Sequence, residues 1–247
     1  MKNPLRIAHA SDIHLDTDYY DSGGNTEARD LHKAVFAHML RQIEAAAPHL
    51  FLLPGDLFDS NRASAETIHW AMEQLGALSF PVAMIPGNHD CLEGEGIFQR
   101  HDFSAVPNVT MLLSLEGAVR EFPELQARVW GKGMVEHSSE YSPLGGLAAP
   151  EDGWWNLAMG HGIYVGRDGH TFRSSPVEAR QIERSGYDYI ALGHHHAMLD
   201  VSGNGTTAWY CGAPVPISPD RKGTWLTVEL AEGQEARVEV HELDGAL

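Results

Sequence analysis

Five short apolar runs, each closed by a turn carrying Asp, Asn or His, constrain this chain more than any other feature. The runs are LRIAH (5–9), LFLL (50–53), PVAMI (81–85), NLAM (156–159) and YIAL (189–192), and they lead into SDIHLD, GDLFD, GNHD, GHG and GHHH. Apolar runs of this length, bounded by turn residues, read as buried strands. Polar groups at the ends of such strands reach the crevice beyond the carboxyl edge of an open α/β sheet, where ligands bind. Five strand ends aimed at one crevice would let a sheet gather metal ligands from residues far apart in sequence.

The segments between the runs fit that picture. A helix is expected over roughly residues 26–47, with Leu31, Val35, Met39 and Ile43 recurring every four residues and Phe36 and Leu40 widening the stripe. A second helix follows Ser64, with Ile68, Ala71, Met72, Leu75 and Leu78 on one face. A third is expected at SPVE, capped by Ser175, with Pro176 in its first turn, Glu178 closing a capping box and Gly186 ending it. Strand–helix alternation in the first ninety residues argues for parallel α/β structure. From about residue 198 the pattern becomes hairpin-like, which suggests a second, more antiparallel sheet in the same domain. Residues 91–155 read less clearly: CLEGEGIFQRHDF suits a loop or short helix near the crevice, and LLSLEGAVREFPELQARVWGKGM suits hairpin strands.

Charge and cysteine content narrow the setting. The 247 residues carry a formal net charge of −17, and two bound divalent ions leave it strongly negative. Free-standing nucleic-acid binders draw much of their affinity from basic surface, so attraction for a polyanion has to be local here. No window approaches the ~18 apolar residues of a membrane helix, and the N-terminus lacks a signal-peptide apolar region. Cys91 and Cys211 are too few for a disulfide framework, so a cytoplasmic protein without membrane contact is expected.

The five polar blocks resemble the calcineurin-like metallophosphoesterases, whose pattern is D-x-H, G-D-x-x-D, G-N-H-[DE], a lone H, and G-H-x-H. All occur in order between residues 12 and 196. The resemblance implies a four-layer α/β/β/α sandwich of two mixed β-sheets flanked by helices. One catalytic domain is expected over 1–247, without a capping or partner-binding domain. One metal would rest on Asp12, His14, Asp56 and His196, the second on Asp56, Asn88, His161 and His194, with Asp56 bridging and His195 turned away. His89 resembles the family's general acid, with Asp90 orienting its ring, and Asp59 is expected to support a ligand rather than bind metal.

The chemistry is coherent on its own terms. Two divalent ions about 3.5–4 Å apart neutralise phosphoryl oxygens and generate hydroxide from a bound water near neutral pH. Carboxylate, amide and imidazole donors without thiolate suit Mn²⁺ or Fe, with Zn²⁺ also accommodated, and Mn²⁺ is the ion expected for activity. Each block also has a plainer reading. Asp-x-His alone is a surface turn, Gly-Asn favours turns, His161 suits a buried or capping position, and His89 suits a hydrogen-bonded loop. Asp59 and Asp90 equally suit local turn support. Arg62, Tyr164 and Arg167 follow motif loops and are candidates to touch substrate phosphate. His38 and His69 read as helix surface or packing residues, Trp154 and Trp155 as core or loop anchors.

Within the superfamily, SDIHLD, GDLFDSNRAS, IPGNHD and YCGAPVPIS look most like the SbcD-like DNA repair nucleases. That resemblance implies a Mn-dependent DNA phosphodiesterase. The chain departs from those nucleases in having neither a capping domain nor a basic patch, so an endonuclease preferring single strands is expected, since a flexible strand can bend its phosphate into an uncapped site. Repair proteins as partners follow from the resemblance only. The alternative substrates are cyclic nucleotides or other small phosphoesters, cleaved as a phosphodiesterase or phosphomonoesterase. A non-enzymatic scaffold would need no intact ligand set.

Overall fold

The apolar runs become strands because both of their faces are covered. A computed structural model describes residues 1–17, 27–166, 174–216 and 220–243. The strands are β1 (Leu5–His9), β2 (Leu50–Pro54), β3 (Val82–Ile85), β4 (Val109–Met111), β5 (Ala118–Phe122), β6 (Ala127–Gly131) and β7 (Trp155–His161). They continue with β8 (Ile163–Tyr164), β9 (Pro176–Val177), β10 (Tyr189–Gly193), β11 (Leu199–Asp200), β12 (Thr207–Tyr210), β13 (Gly223–Leu230) and β14 (Arg237–Leu243). The helices are α1 (Glu27–Ala46), α2 (Ala65–Gly76), α3 (Ile97–Arg100) and α4 (Ala179–Glu183).

Two six-stranded mixed sheets result, ordered β14-β13-β1-β2-β3-β4 and β11-β12-β10-β7-β6-β5. Alternation within each run decides which layer a residue joins. Leu5, Ile7, Leu50, Leu52, Ala83 and Ile85 face the second sheet, where they meet Val129, Leu157, Met159, Tyr189 and Ala191. Their neighbours Ala8, Phe51, Leu53 and Met84 turn outward onto Phe36, Met39 and Ile43 of α1 and Ile68 and Leu75 of α2. Burying one such Leu, Ile or Phe contributes about 1.5–3 kcal/mol, so doubly apolar strands settle in the middle of the sandwich. Ser64 caps α2 by accepting from Thr67 N at 3.2 Å, which satisfies one of the amides a helix start leaves free.

Several expectations need correction. The buried face of α1 runs Ala28, His32, Phe36, Met39, Leu40, Ile43, while Leu31 is 43% exposed. His32 takes the core position because its Nδ1–H donates to Ile13 O at 2.8 Å, giving a buried polar group its partner. Pro176 and Val177 form β9 rather than a first helical turn, and α4 starts after Glu178, which makes the capping box with Gln181. The layer outside the second sheet is therefore thin: Ile182 of α4, Tyr187 and Leu144 cover Ile190, Leu192 and Tyr210. The C-terminal strands build no sheet of their own. β13 returns to pair antiparallel with β1, Leu5 opposite Leu230, while β12 extends the second sheet parallel to β10. Among the described residues no helix is long and apolar enough to cross a membrane.

β1, β2 and β3 are parallel neighbours in the first sheet, and β7 and β10 are parallel neighbours in the second. These are the five strands that carry the polar blocks, so their carboxyl ends meet at one edge of the sandwich.

Candidate metal centre

The loops after β1 and β2 continue side by side once the strands end. Ile13 N and His14 N donate to Asp56 O at 2.8 and 3.1 Å, and Leu15 N donates to Leu57 O at 2.9 Å. The backbone there is unusual: Asp12, His14 and Asp56 in the zippered loops have positive φ, at 57°, 51° and 53°, and so does His194 after β10, at 96°. Non-glycine residues rarely hold such values unless the surroundings impose them, and functional sites are where they cluster. Two glycines make room. A Cβ on Gly87 would stand 2.1 Å from Asp56 Oδ1, and one on Gly193 would stand 2.2 Å from Pro54 O and 2.8 Å from His161 Nδ1.

The residues converge in three overlapping groups, the donor atoms of each lying within 4.8 Å of one another: a first of Asp12, His14 and His196, a second of Asp56, His161 and His194, and a set of His14, Asp56 and His89 that links them at the rim. In the first, His14 Nε2 faces His196 Nε2 at 3.1 Å, and His196 Nε2 stands 3.7 Å from Asp12 Oδ1. Asp12 is steered by Ser11 Oγ and by His194 N, which donates at 3.0 Å to Oδ1 and 3.1 Å to Oδ2. In the second, His161 Nδ1–H donates to Pro54 O at 2.8 Å, which turns Nε2 to Asn88 Oδ1 at 3.0 Å and Asp56 Oδ2 at 3.2 Å. His194 presents Nδ1 to the same Asn88 oxygen at 2.8 Å. Asp56 joins the groups: Oδ1 accepts from His89 N at 2.9 Å, leaving Oδ2 3.2 Å from His161 Nε2 and 3.9 Å from His14 Nε2.

Burial and neighbouring charges together set the charges of these groups in the metal-free protein. Burial would depress His161, yet the Asp56 carboxylate outweighs it and pushes the imidazole up to about 9. Likewise burial opposes the charged form of His14, and Asp59, Asp56 and Asp12 raise it overall. His194 is lowered to about 3 by burial and by repulsion from His161, and burial lowers His196. Asp56 is held well below the carboxylate range, because His161 and His14 overcome the burial that alone would raise it. The donor set fits divalent ions: carboxylate and amide oxygens and imidazole nitrogens converge without a thiolate, the donors of N/O sites for Mn, Fe or Zn.

The surrounding residues divide differently from expectation. Asp59 Oδ1 lies 3.1 Å from His14 Nδ1, the ring nitrogen turned away from the cluster. His89 stands at the rim with 41% of its side chain exposed, and its Nδ1–H donates to Asp59 O at 2.7 Å. Asp90 therefore does not orient His89, contrary to expectation. It is fully buried, and its carboxylate accepts from Gly87 N at 2.7 Å and Phe58 N at 3.2 Å, clasping the loops after β2 and β3. Burial and the nearby Asp56 push its carboxyl up to about 6. His195 is exposed, donates Nδ1–H to Ala197 O at 2.6 Å and packs on Tyr210. Arg62 is exposed on the turn after Asp59. Tyr164 on β8 packs against the outer core of the second sheet. Arg167 lies outside the described residues. Trp155 is a buried anchor whose Nε1–H donates to Asn3 O at 2.7 Å.

Sequence reading missed two histidines beside the site. His32 holds the backbone between Asp12 and His14, and no signal marks it except its place on the α1 face. His137 lies with its ring 4.9 Å from that of His194, in a segment with no motif.

A two-sheet sandwich whose paired His/Asp clusters share one carboxylate is the framework of a binuclear metallohydrolase. Residues 5–198 match the family model described as calcineurin-like phosphoesterase, and the chain belongs to that family. It is 28% identical over 227 residues to the uncharacterised metallophosphoesterase YhaO of Bacillus subtilis, covering 86% of this chain and 53% of that protein. It is 23% identical over 255 residues to the DNA double-strand break repair protein Mre11 of Methanopyrus kandleri, covering 94% and 52%. Against the SbcD subunit of the nuclease SbcCD from Escherichia coli it is 24% identical over 286 residues, covering 95% and 66%. The chain thus spans about half the length of the first two relatives.

Proposed function

We propose that the protein is a Mn²⁺-dependent phosphodiesterase that cuts DNA internally, preferring single strands, in a repair setting. The observation that carries the reading is the pair of donor groups joined through Asp56, with His89 beside them at 4.7 Å from the His14 ring. In this reading Asp12, His14, Asp56 and His196 hold one ion and Asp56, Asn88, His161 and His194 the other. Bound there, two divalent ions supply charge neutralisation at the phosphoryl oxygens and an activated water.

The chain's own residues do the rest. His89 commits Nδ1–H to Asp59 O, so Nε2 is the atom that delivers a proton to the leaving oxygen. Asp59 fixes the His14 ring through Nδ1. Asp90 keeps the loops bearing Asp56 and Asn88 in register. DNA as substrate is supported by the names of the relatives, a DNA double-strand break repair protein and a nuclease subunit. The preference for single strands is supported by the net charge of −17, which disfavours the long phosphate contacts that duplex grip needs. Both cysteines are free and buried, which fits a reducing cytoplasm.

The same charge favours a second reading, in which small phosphodiesters or phosphomonoesters are the substrate, because they need no basic track. Closed circular single-stranded DNA separates the two. Cutting of a circle that requires Mn²⁺ and is lost in His14→Ala supports the endonuclease. An intact circle together with rapid hydrolysis of bis-p-nitrophenyl or p-nitrophenyl phosphate moves the assignment to small esters.

A further inference from the structure

Between β6 and β7 the chain passes the site in a stretch without family motif, and His137 stands in it half-buried. Its ring lies 4.9 Å from the His194 ring at 35° between planes. Nδ1 meets Ser175 Oγ at 2.9 Å. Ser175 is itself fully buried, has a φ of 51°, and donates its N–H to Ser138 O at 2.6 Å. The imidazole is thus clamped through its ring and through the backbone of the next residue. Holding a long loop side chain this way forfeits rotamer freedom that a surface histidine would otherwise keep. Among the described residues, Nε2 has no hydrogen-bond partner.

The placement mirrors that of His89. His89 stands beside His14 of the first group at 4.7 Å, and His137 stands beside His194 of the second at 4.9 Å. One further imidazole therefore lies against a histidine of the first group and one against a histidine of the second. We propose that His137 is a substrate-binding residue whose Nε2–H donates to a non-bridging phosphoryl oxygen of an ester seated across both groups. This rests on the phosphoesterase reading above. In this proposal the Ser175 hydroxyl is assigned as donor to Nδ1, 2.9 Å away, which places the proton of the neutral ring on Nε2 and needs no change of charge. In a chain this acidic, a neutral donor at the second group adds anion affinity without competing for the carboxylates.

The test uses the full chain loaded with Mn²⁺, with His137→Ala and His137→Gln compared with the wild type. Three quantities are read: hydrolysis of bis-p-nitrophenyl phosphate, inorganic phosphate affinity by calorimetry, and bound metal. His137→Ala should lower kcat/KM by about tenfold to a hundredfold, the range for a hydrogen bond to a charged group. Phosphate affinity should fall by about tenfold while bound metal is unchanged. His137→Gln, whose amide nitrogen reaches as far as Nε2, should restore most of both. Unchanged phosphate affinity in His137→Ala, loss of a metal ion in it, or a His137→Gln no better than alanine each overturns the proposal. Phosphate binding that depends on His137 in a wild type that hydrolyses no ester upholds the proposal and removes the hydrolase reading. A wild type that binds no phosphate overturns it.

Discussion

The two donor groups are held by different means. In the first, Asp12 and His14 sit in left-handed backbone on a loop, and the outer nitrogen of His14 is met by the side chain of Asp59, about a quarter exposed. In the second, His161 is the last residue of β7, almost wholly buried, and its outer nitrogen donates to the backbone carbonyl of Pro54. One group depends on a removable carboxylate at the solvent edge, the other on main chain that no substitution at position 54 deletes. Carboxylate partners make a ligand histidine more basic and fix its tautomer. The first group is therefore the adjustable one, and the second is built into the sandwich.

Asp56 belongs to both groups, so its loss should erase the comparison. Asp56→Asn keeps the shape and removes the negative charge that His161 and His14 share. Metal binding should fall at both groups, and Mn²⁺-dependent hydrolysis should drop roughly a thousandfold or more, since charge stabilisation by bound ions is worth several kcal/mol at about 1.4 kcal/mol per decade. Metal analysis showing two ions retained with near-normal turnover would remove Asp56 from the bridging role. Asp59→Ala should sharpen the comparison. Affinity at the first group should weaken about tenfold to a hundredfold, the range for a partner behind a ligand, while the second is unaffected. Two-site metal titration by calorimetry reads this directly, and equal weakening at both groups would refute the distinction.

How much of this was legible in the sequence follows from periodicity and from its limits. Leu50–Pro54 and Tyr189–Gly193 read as buried strands because apolar residues fill both faces, and each sits mid-sheet. The donor residues were readable because each follows its apolar run by two to five positions. The destination of β13 was not: TWLTVEL looks like any hairpin strand, and its pairing with β1 links residues more than two hundred positions apart. Asp90 was misplaced because sequence adjacency to His89 says nothing about direction, and its side chain points inward to two backbone amides. His137 left no mark at all, since only the fold brings Ser175 and His194 to it.

The smallest expected effect concerns protons. Without metal, His161 is protonated through the neutral range, its pKa raised to about 9 by Asp56 despite burial, whereas its partner His194 is lowered to about 3. An ion taking the second group must displace the extra proton of His161, whereas His194 is already neutral and has none to release. In His196→Ala, which leaves the second group intact, Mn²⁺ uptake should release close to one proton at pH 7.5, and affinity should rise by up to about tenfold per pH unit until pH 9. The sign for the metal-free fold runs the other way. A histidine raised from 6.5 stabilises the native state fully below that pH and loses the contribution as pH climbs through about 9. The metal-free protein should therefore melt at lower temperature at pH 9.5 than at pH 6.5, while the Mn²⁺-loaded protein should show little of that decline because the ion replaces the proton. Calorimetry in buffers of differing ionisation enthalpy counts the proton, and thermal melts with and without chelator follow the stability. An uptake with no proton released would mean that His161 is already neutral, and that Asp56 and the buried imidazole are not the pair that organises the second group.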